Sequence, residues 1–188
     1  MSPVDGPTVP MRQGAATMRG RMAPRCAACG LLQPLCLCAL REPLALGTQV
    51  VSVVHVLEAR KSTTTSRLLP LALTQAECRI RGERDAPPFD AASLVTESHR
   101  TWLLFPAEEA RELDDALLAE EPRPVRLVVP DGTWSQGAKL ARRVREAAGD
   151  QVTCVKLSQT APSRYRLRRT ERTDGLCTYE AVVEALAR

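Results

Sequence analysis

The chain alternates between short apolar runs and longer amphipathic segments from Pro43 onward. The apolar runs are rich in β-branched residues, and the run TQVVSVVHVL is typical of a strand buried on both faces of a parallel sheet. Strands are accordingly predicted at residues 48–57, 102–105, 125–129 and 152–157, with a further short candidate at 78–81.

Segments with helical patterning separate the predicted strands. The first follows a Ser/Thr run that can supply its cap, and the second has acidic residues in its first turn, where the helix dipole favours them. Helices are predicted at residues 62–73, 107–118, 135–148 and 176–187, and loops at 84–91 and 163–174. Strands and helices that alternate over short connections indicate an α/β fold with a mostly parallel sheet.

Composition adds constraints to this picture. Residues 1–24 are rich in Gly, Pro, Ala and Met without a hydrophobic period, and they are predicted to be a disordered leader. The chain has only two each of Trp, Tyr and Phe, so we expect a core of Leu, Val and Ala. No apolar run is long enough to span a bilayer, and the N-terminus lacks the pattern of a secretion signal. The sequence therefore predicts a cytoplasmic protein without a membrane partner.

Charge is distributed unevenly along the chain, whose formal net charge is +4. Residues 77–121 contain twelve acidic residues against five arginines, whereas residues 122–172 contain twelve Lys and Arg against four acidic residues. A basic C-terminal half suits a polyanionic partner. An ordinary solvated surface of an Arg-rich protein would show the same pattern, so charge alone leaves both interpretations open.

Four of the seven cysteines lie within thirteen residues, in the spacing Cys26-x2-Cys29-x6-Cys36-x-Cys38. Each close pair can present two thiolates to one metal, and four thiolates suit a closed, tetrahedral structural zinc site. A redox-active CxxC is the alternative, but the βαβ context of a thioredoxin-like motif is missing here. Residues 25–42 are therefore predicted to form a small four-cysteine zinc knuckle.

An acidic residue follows the third predicted strand, where RLVVP runs into Asp131, Gly132, Thr133 and Trp134. This placement puts a carboxylate at the carboxyl end of a strand, which is where open α/β sheets bind ligands. Gly132 permits a tight turn or the close approach of a ligand. The alternative is an ordinary helix N-cap, supplied by Asp131 or Thr133.

Several segments, in order along the chain, resemble the DTW-domain family. They are the cysteine cluster CAACGLLQPLCLC, the segment HVLEARKSTTTSRL at 55–68, the DGTW segment at 131–134, the basic stretch YRLRR at 165–169 and LCTYEA at 176–181. Val56 stands where the family often has Pro, and Thr64 and Ser66 stand where Asn and Gly are usual.

The resemblance implies a SPOUT-like fold, in which a mostly parallel α/β sheet ends in a C-terminal trefoil knot. The knuckle at 25–42 would then precede a catalytic domain at 43–188. The implied reaction transfers the 3-amino-3-carboxypropyl group of S-adenosylmethionine to N3 of a uridine in tRNA and releases methylthioadenosine. The implied partner is tRNA and not DNA, and enzymes of this broad class are often homodimers.

The same resemblance suggests roles for particular residues. Asp131 would accept the N3 proton or orient the uracil imide, because the sulfonium needs positioning and no protein nucleophile. His55 and Glu58 would brace a strand end or touch ligand, and Glu180 would hold the closing loop or the amino group of the cofactor. The S-adenosylmethionine site would comprise Leu104, Phe105, Pro106, Val129, Pro130, Thr133, Trp134, Leu176, Cys177, Thr178 and Glu180. Contacts with RNA phosphates would come from Lys61, Arg67, Arg142, Arg143, Arg164, Arg166, Arg168 and Arg169.

Three rival functions remain open at this point. An RNA methyltransferase of the same fold would differ only in its product. A zinc-bearing RNA-binding module without catalysis would have no affinity for the cofactor, and it would leave the Asp131 segment without a role. A thiol redox protein would have easily oxidised Cys26 and Cys29 and no tightly bound zinc.

Overall fold

A computed structural model of the chain describes residues 24–120, 122–158, 161–167 and 175–188. Its centre is a six-stranded sheet in the order β2-β1-β5-β3-β6-β4, in which every pairing of neighbouring strands is parallel. The strands are β1 (Gln49–His55), β2 (Ala76–Arg81), β3 (Arg100–Leu104), β4 (Arg111–Glu112), β5 (Val125–Asp131) and β6 (Val152–Lys156). The predicted α/β fold with a mostly parallel sheet is confirmed.

Helices cover both faces of the sheet. The α-helices in the described ranges are α1 (Val56–Ala59), α2 (Leu69–Ala72), α3 (Asp115–Ala119), α4 (Trp134–Ala148) and α5 (Thr178–Leu186). Residues of α4 join the core on one face, and residues of α2, α3 and α5 join the core on the other. Within this part of the chain, none of the helices has the length and apolar character that a membrane crossing needs.

Side chains of the central strand β5 alternate between the two faces, as expected for a strand with a period of two residues. Val128 packs on the face of α4, where Leu140 and Val144 of that helix meet it. Leu127 and Val129 pack on the opposite face, with α5. Both cores consist mainly of Leu, Val and Ala, which confirms the expectation from composition.

The helix predicted at residues 62–73 is wrong for most of its length. Ser66–Leu68 is a single 3-10 turn, and only Leu69–Ala72 is α-helical. The hydroxyls of Thr64 and Thr65 bind distant partners instead of capping a helix. Pro70 lies in the first turn of α2. Proline has no N–H to donate, and it is tolerated in a first turn but not in a helix interior.

The second predicted helix, at 107–118, is also wrong. Part of it forms β4, which pairs with β6 at the edge of the sheet, and only Asp115–Ala119 is helical. Asp114 sets this late start, because its carboxylate accepts a hydrogen bond from the backbone N–H of Leu117 at 2.9 Å. Strand pairing and the burial of Leu113 therefore override the helical pattern.

The other predicted strands and helices are confirmed, with boundaries that differ by at most two residues. The predicted leader at 1–24 lies outside the described residues except for Pro24, and so does the part of the predicted loop at 168–174. The predicted strand at 48–57 ends at His55, and its last two positions begin α1. The candidate strand at 78–81 is real and extends back to Ala76 as β2.

The strand order places a topological switch point at the carboxyl ends of β1 and β5, the position at which sheets of this type open a crevice. The chain leaves β1 for β2 on one side and leaves β5 for β6 on the other, so the connections diverge between these neighbouring strands. Crevices of this kind are where open α/β sheets bind ligands. Asp131 is the last residue of β5 and pairs in register with Val54 of β1, so it lies at this crevice.

Candidate functional site

Asp131 is a buried carboxylate held by two hydroxyl groups. Asp131 is only 7% exposed to solvent. Thr64 Oγ1 donates a hydrogen bond to Asp131 Oδ2 at 3.0 Å, and Thr178 Oγ1 donates one to Oδ1 at 2.8 Å. The two donors come from the loop after β1 and from the first residue of α5, so three distant parts of the chain meet at this carboxylate.

These contacts leave Asp131 able to bind a further donor. A carboxylate offers about four acceptor positions, and the two threonines occupy one on each oxygen. Both threonine hydroxyls are neutral, so they orient the carboxylate without cancelling its charge. An oriented anionic acceptor with spare positions suits a ligand that presents an N–H or O–H group.

The N-cap of α4 is Thr133 and not Asp131. Thr133 Oγ1 accepts from the backbone N–H of Gln136 at 3.3 Å, and Gln136 Oε1 accepts from the N–H of Thr133 at 2.8 Å. This capping box satisfies the helix terminus without the aspartate. Gly132 fits the same turn, because a Cβ there would lie 2.7 Å from Gln136 Oε1. The predicted capping role therefore falls to Thr133, and Asp131 remains available to a ligand.

The loop at 63–66 belongs to the site, although the sequence analysis interpreted it only as a helix cap. Thr64 Oγ1 lies 3.2 Å from Ser66 Oγ as well as binding Asp131. Thr65 Oγ1 accepts from the N–H of Tyr179 in α5, and Thr63 O accepts from Tyr165 Oη at 2.8 Å. The run of five hydroxyl residues from Ser62 to Ser66 was the signal, and its tertiary partners could not be seen in the sequence.

Glu180 locks the C-terminal segment over the end of the sheet. Its carboxylate accepts from Ser163 Oγ at 2.7 Å and from the backbone N–H groups of Arg164 and Cys177 at 2.7 and 3.0 Å. Partial burial alone would raise the pKa of Glu180, but these hydrogen bonds outweigh it and lower the pKa to about 2. Of the two roles suggested for Glu180, holding the closing loop agrees with these contacts.

The expected cofactor residues fall at one end of the sheet, but their side chains differ in exposure. Leu104 and Val129 are buried in the core, so only their backbone groups face a ligand. The remaining members are half-buried or exposed around the ends of β3 and β5 and the starts of α4 and α5: Phe105, Pro106, Pro130, Thr133, Trp134, Leu176, Cys177, Thr178 and Glu180.

Phe105 and Trp134 form an aromatic pair at the ends of β3 and β5. Their ring centroids lie 6.1 Å apart with the planes tilted by 57°. Trp134 is 41% exposed, and Phe105 packs so closely on α4 that a Cβ at Gly137 would lie 2.9 Å from its ring. The exposed ring of Trp134, braced by Phe105, therefore offers an apolar face three residues after Asp131, suited to packing against a planar group.

The residues expected to contact RNA differ in their partners. Lys61 binds Glu58 Oε1, and Arg142 lies 3.5 Å from Glu146. Arg67 Nη2 donates to the carbonyls of Ala59 and Lys61, at 2.8 and 3.1 Å, which engages one end of its guanidinium. Arg143, Arg164 and Arg166 are exposed on the surface. Arg168 and Arg169 lie outside the described residues.

Arg81 is a further basic residue near the site that the sequence analysis missed. It ends β2 in register with His55, and its Nη2 donates to Gln136 O in the first turn of α4 at 2.9 Å. Burial and the nearby Arg143 lower the pKa of Arg81 below its ordinary value. His55 Nδ1 accepts from the N–H of Leu57 at 3.2 Å, so this histidine braces the end of β1.

The four clustered cysteines converge in space as their spacing predicts. Their Sγ atoms all lie within 4.8 Å of one another, with 3.7 Å between Cys26 and Cys38 and 3.8 Å between Cys29 and Cys36. A tetrahedron of Zn–S bonds of about 2.3 Å has sulfur atoms about 3.8 Å apart. The donor set and its spacing therefore fit a tetrahedral zinc ion.

The thiols of this cluster are electrostatically unequal. The backbone N–H of Cys29, with that of Ala28, lowers the pKa of Cys26 to about 6. Burial and the neighbouring thiols raise the pKa of Cys38 to about 12. The Cys26 thiol ionises readily, and its negative charge opposes ionisation of the neighbouring thiols. A divalent cation would therefore stabilise the form in which all four cysteines are deprotonated.

These features define an α/β protein with a buried carboxylate at the carboxyl ends of a parallel sheet and a cluster of four cysteines that could bind a metal. The family model described as the DTW domain matches residues 23–188, and the chain belongs to this family. The match includes the cysteine cluster, the Asp131 segment and the C-terminal helix.

Curated relatives share most of the chain at moderate identity. It is 29% identical to tRNA-uridine aminocarboxypropyltransferase 2 of Macaca fascicularis and 27% identical to that of Mus musculus, over 87% of this chain and 56% of each relative. The Drosophila melanogaster protein of the same name is 29% identical over 87% of this chain and 65% of its own length. The chain thus spans little more than half the length of the mammalian relatives. Solved structures give no significant match.

Replacing Cys29 with Ser should remove zinc from the protein. A tetrahedral thiolate site that loses one of four ligands binds its metal more weakly and destabilises the turn around it. Metal content by mass spectrometry should fall from one zinc per chain to well below that. The matched control is Cys154→Ser in β6, which lies outside the cluster and should keep its zinc. Equal metal content in both variants would contradict the assignment.

Replacing Glu180 with Gln should change how stability depends on pH. The folded-state pKa of Glu180 is depressed from 4.5 to about 2, so its stabilisation is present above about pH 4.5 and is lost as the pH falls toward 2. Urea unfolding should show the wild type more stable than the variant near pH 6, with the difference shrinking through this window. A difference that stays constant with pH would show that the carboxylate charge is not responsible.

Proposed function

We propose that the protein transfers the 3-amino-3-carboxypropyl group of S-adenosylmethionine to N3 of a uridine in tRNA and releases methylthioadenosine. The observation that carries this proposal is the buried carboxylate of Asp131, held by two hydroxyls at the β1–β5 crevice with acceptor positions to spare. Membership of the DTW family and the names of the relatives support this reaction over other uses of such a carboxylate.

Asp131 serves as the acceptor for the proton on uracil N3. The N3–Cγ bond forms as the bond between Cγ and the sulfonium sulfur breaks, and the electron pair of the broken bond neutralises the sulfur. The N3 proton passes to the carboxylate at the same time or just before. Thr64 and Thr178 fix the direction in which the carboxylate faces, which matters because the protein's task is positioning the base against Cγ and not the methyl carbon.

The S-adenosylmethionine site lies around the ends of β3 and β5. The Phe105–Trp134 pair provides an apolar wall for the adenine or the base, and backbone groups at 104–106, 129–130 and 176–178 provide hydrogen-bonding edges. Support comes from the placement of these segments at the same end of the sheet as Asp131, with α5 closing over it through Thr178 and Tyr179.

The wider architecture is proposed to be SPOUT-like, with a trefoil knot formed by the C-terminal segment. The return of the chain from β6 supports this, since Tyr165 reaches the loop at 63–66 and α5 docks against β5. Residues 25–42 would form a structural zinc knuckle and 43–188 the catalytic domain. A cytoplasmic location suits the free thiols of the knuckle, because reducing compartments keep such cysteines available to metal.

The tRNA would lie across the basic side chains that surround the crevice. Burial first, and then the positive charge of Arg143, lower the pKa of Arg81, and a phosphate bound near both guanidinium groups would offset their repulsion. Arg164 and Arg166 continue the basic surface on the closing segment. We therefore propose Lys61, Arg142, Arg143, Arg164, Arg166, Arg168 and Arg169 as candidates for phosphate contact, with Arg81 added to them.

Incubation with unmodified tRNA and S-adenosylmethionine should yield a uridine that is heavier by one aminocarboxypropyl group, with methylthioadenosine formed in equal amount. Asp131→Asn should lower turnover by about 100-fold or more, since a lost proton acceptor typically costs that much. The matched control is Asp150→Asn at an exposed turn, which should keep wild-type turnover.

Nucleoside mass spectrometry identifies the product, and calorimetry measures the binding of S-adenosylmethionine. Binding to Asp131→Asn should stay within a few-fold of wild type, because the aspartate acts on the base. A methylated nucleoside with S-adenosylhomocysteine would make the protein a methyltransferase instead. Wild-type protein that neither binds S-adenosylmethionine nor changes any tRNA would contradict an enzymatic function.

Arg143→Ala should weaken tRNA binding and lower its salt dependence. Each lost phosphate contact should reduce the slope of log K against log salt by about 1, because one fewer counterion is released. Arg111→Ala is the control, since Arg111 pairs with Glu120 at the far edge of the sheet. Filter binding at several salt concentrations measures both, and equal slopes for the two variants would remove Arg143 from the RNA surface.

A further inference from the structure

Arg67 packs directly against the turn of the four-cysteine knuckle. Gly30 closes that turn by donating its N–H to Cys26 O at 2.8 Å, with a positive φ of 71°. A Cβ at residue 30 would lie 1.9 Å from Arg67 Nη1 and 2.9 Å from its Cζ, so only glycine leaves room for the guanidinium. The knuckle and the Arg67 side chain are therefore fitted to each other.

The other end of the same guanidinium holds the segment that leads to the Asp131 site. Arg67 Nη2 donates to Ala59 O at 2.8 Å and to Lys61 O at 3.1 Å. The carbonyl of Lys61 also accepts the backbone N–H of Thr64 at 3.3 Å. Thr64 in turn donates its hydroxyl to Asp131. A continuous set of contacts thus runs from the cysteine turn through one arginine to the carboxylate.

We propose that Arg67 is a positioning residue, through which the metal-loaded knuckle fixes the Thr64 hydroxyl against Asp131. Its effect on catalysis rests on the function proposed above, whereas its effect on the loop does not. The family resemblance suggested a phosphate contact for Arg67. The structure instead directs its donors at backbone carbonyls and against Gly30.

The planar fork of arginine is what allows one side chain to serve both ends. Nη1 lies against the knuckle while Nη2 bridges two carbonyls, and a lysine ammonium is a single point that reaches only one of these. Loss of the metal would loosen the turn at Gly30 and release one side of this clamp. By reciprocity, loss of the clamp would weaken the binding of zinc to the four cysteines.

Hydrogen exchange measures this coupling without reference to activity. In the zinc-loaded full chain, Arg67→Ala should speed exchange of the Thr64 amide and of the Tyr179 amide, which donates to Thr65, by about tenfold or more. Chelation of zinc from the wild type should do the same, while amides in the middle of α4 keep their protection. Unchanged protection at Thr64 and Tyr179 in both experiments would overturn the proposal.

Gly30→Ala supplies a second test that starts from the knuckle. Alanine at this φ is also strained. The Gly30→Ala variant is therefore measured both alone and in combination with Arg67→Ala. If the two residues act through one contact, their effects on the exchange rate of the Thr64 amide will be strongly non-additive. Additive effects would mean that Gly30 does not act through Arg67. Gly47→Ala is the control, since a Cβ there meets nothing within 4 Å.

Kinetics then separates positioning from RNA binding. Arg67→Ala should lower kcat while leaving the KM for tRNA and its salt dependence near the wild-type values, and Arg67→Lys should recover only part of the loss. A raised KM with a salt slope smaller by about 1 would assign Arg67 to the RNA surface instead. If wild type has no transferase activity, the proposed function fails, and the exchange data still decide the coupling.

Discussion

The two hydroxyl contacts to Asp131 constrain the architecture more than any other interaction described. Burying a carboxylate is costly unless donors satisfy it. These donors, Thr64 and Thr178, lie 67 and 47 residues away in the sequence. Satisfying the carboxylate therefore requires the loop after β1 to fold inward and the C-terminus to return to the middle of the sheet. The order of the strands, with β1 beside β5, makes both approaches short.

The closing segment is held by contacts that serve this same requirement. Glu180 gathers the backbone around Ser163 and Arg164, and Tyr165 anchors to the loop that carries Thr64. Each contact joins the C-terminal segment to itself or to that loop. The proposed catalysis at Asp131 would thus depend on residues whose described hydrogen bonds are to the protein itself. On the other side of the loop, Arg67 extends the same dependence to the cysteine knuckle.

The sequence predicted those parts of the protein that local chemistry determines. Runs of β-branched residues located the central strands, the cysteine spacing predicted a convergent cluster, and the DGTW segment drew attention to Asp131. The helices predicted after β1 and after β3 were misplaced. The hydrogen bond from Thr64 to Asp131 and the pairing of β4 with β6 override the local helical propensity there. Arg81 was missed because its role depends on lying beside Gln136 across the sheet.

Ligand binding is proposed at the carboxyl ends of β1, β5 and β3. A second hollow exists at the opposite end of the sheet, lined by residues that include Thr48, Leu113 and Leu186. Amide shift mapping by NMR during titration with S-adenosylmethionine distinguishes the two directly. The largest changes are expected at Phe105, at 131–134 and at 176–180. Changes confined to the residues of the second hollow, with none near Asp131, would contradict the proposed site.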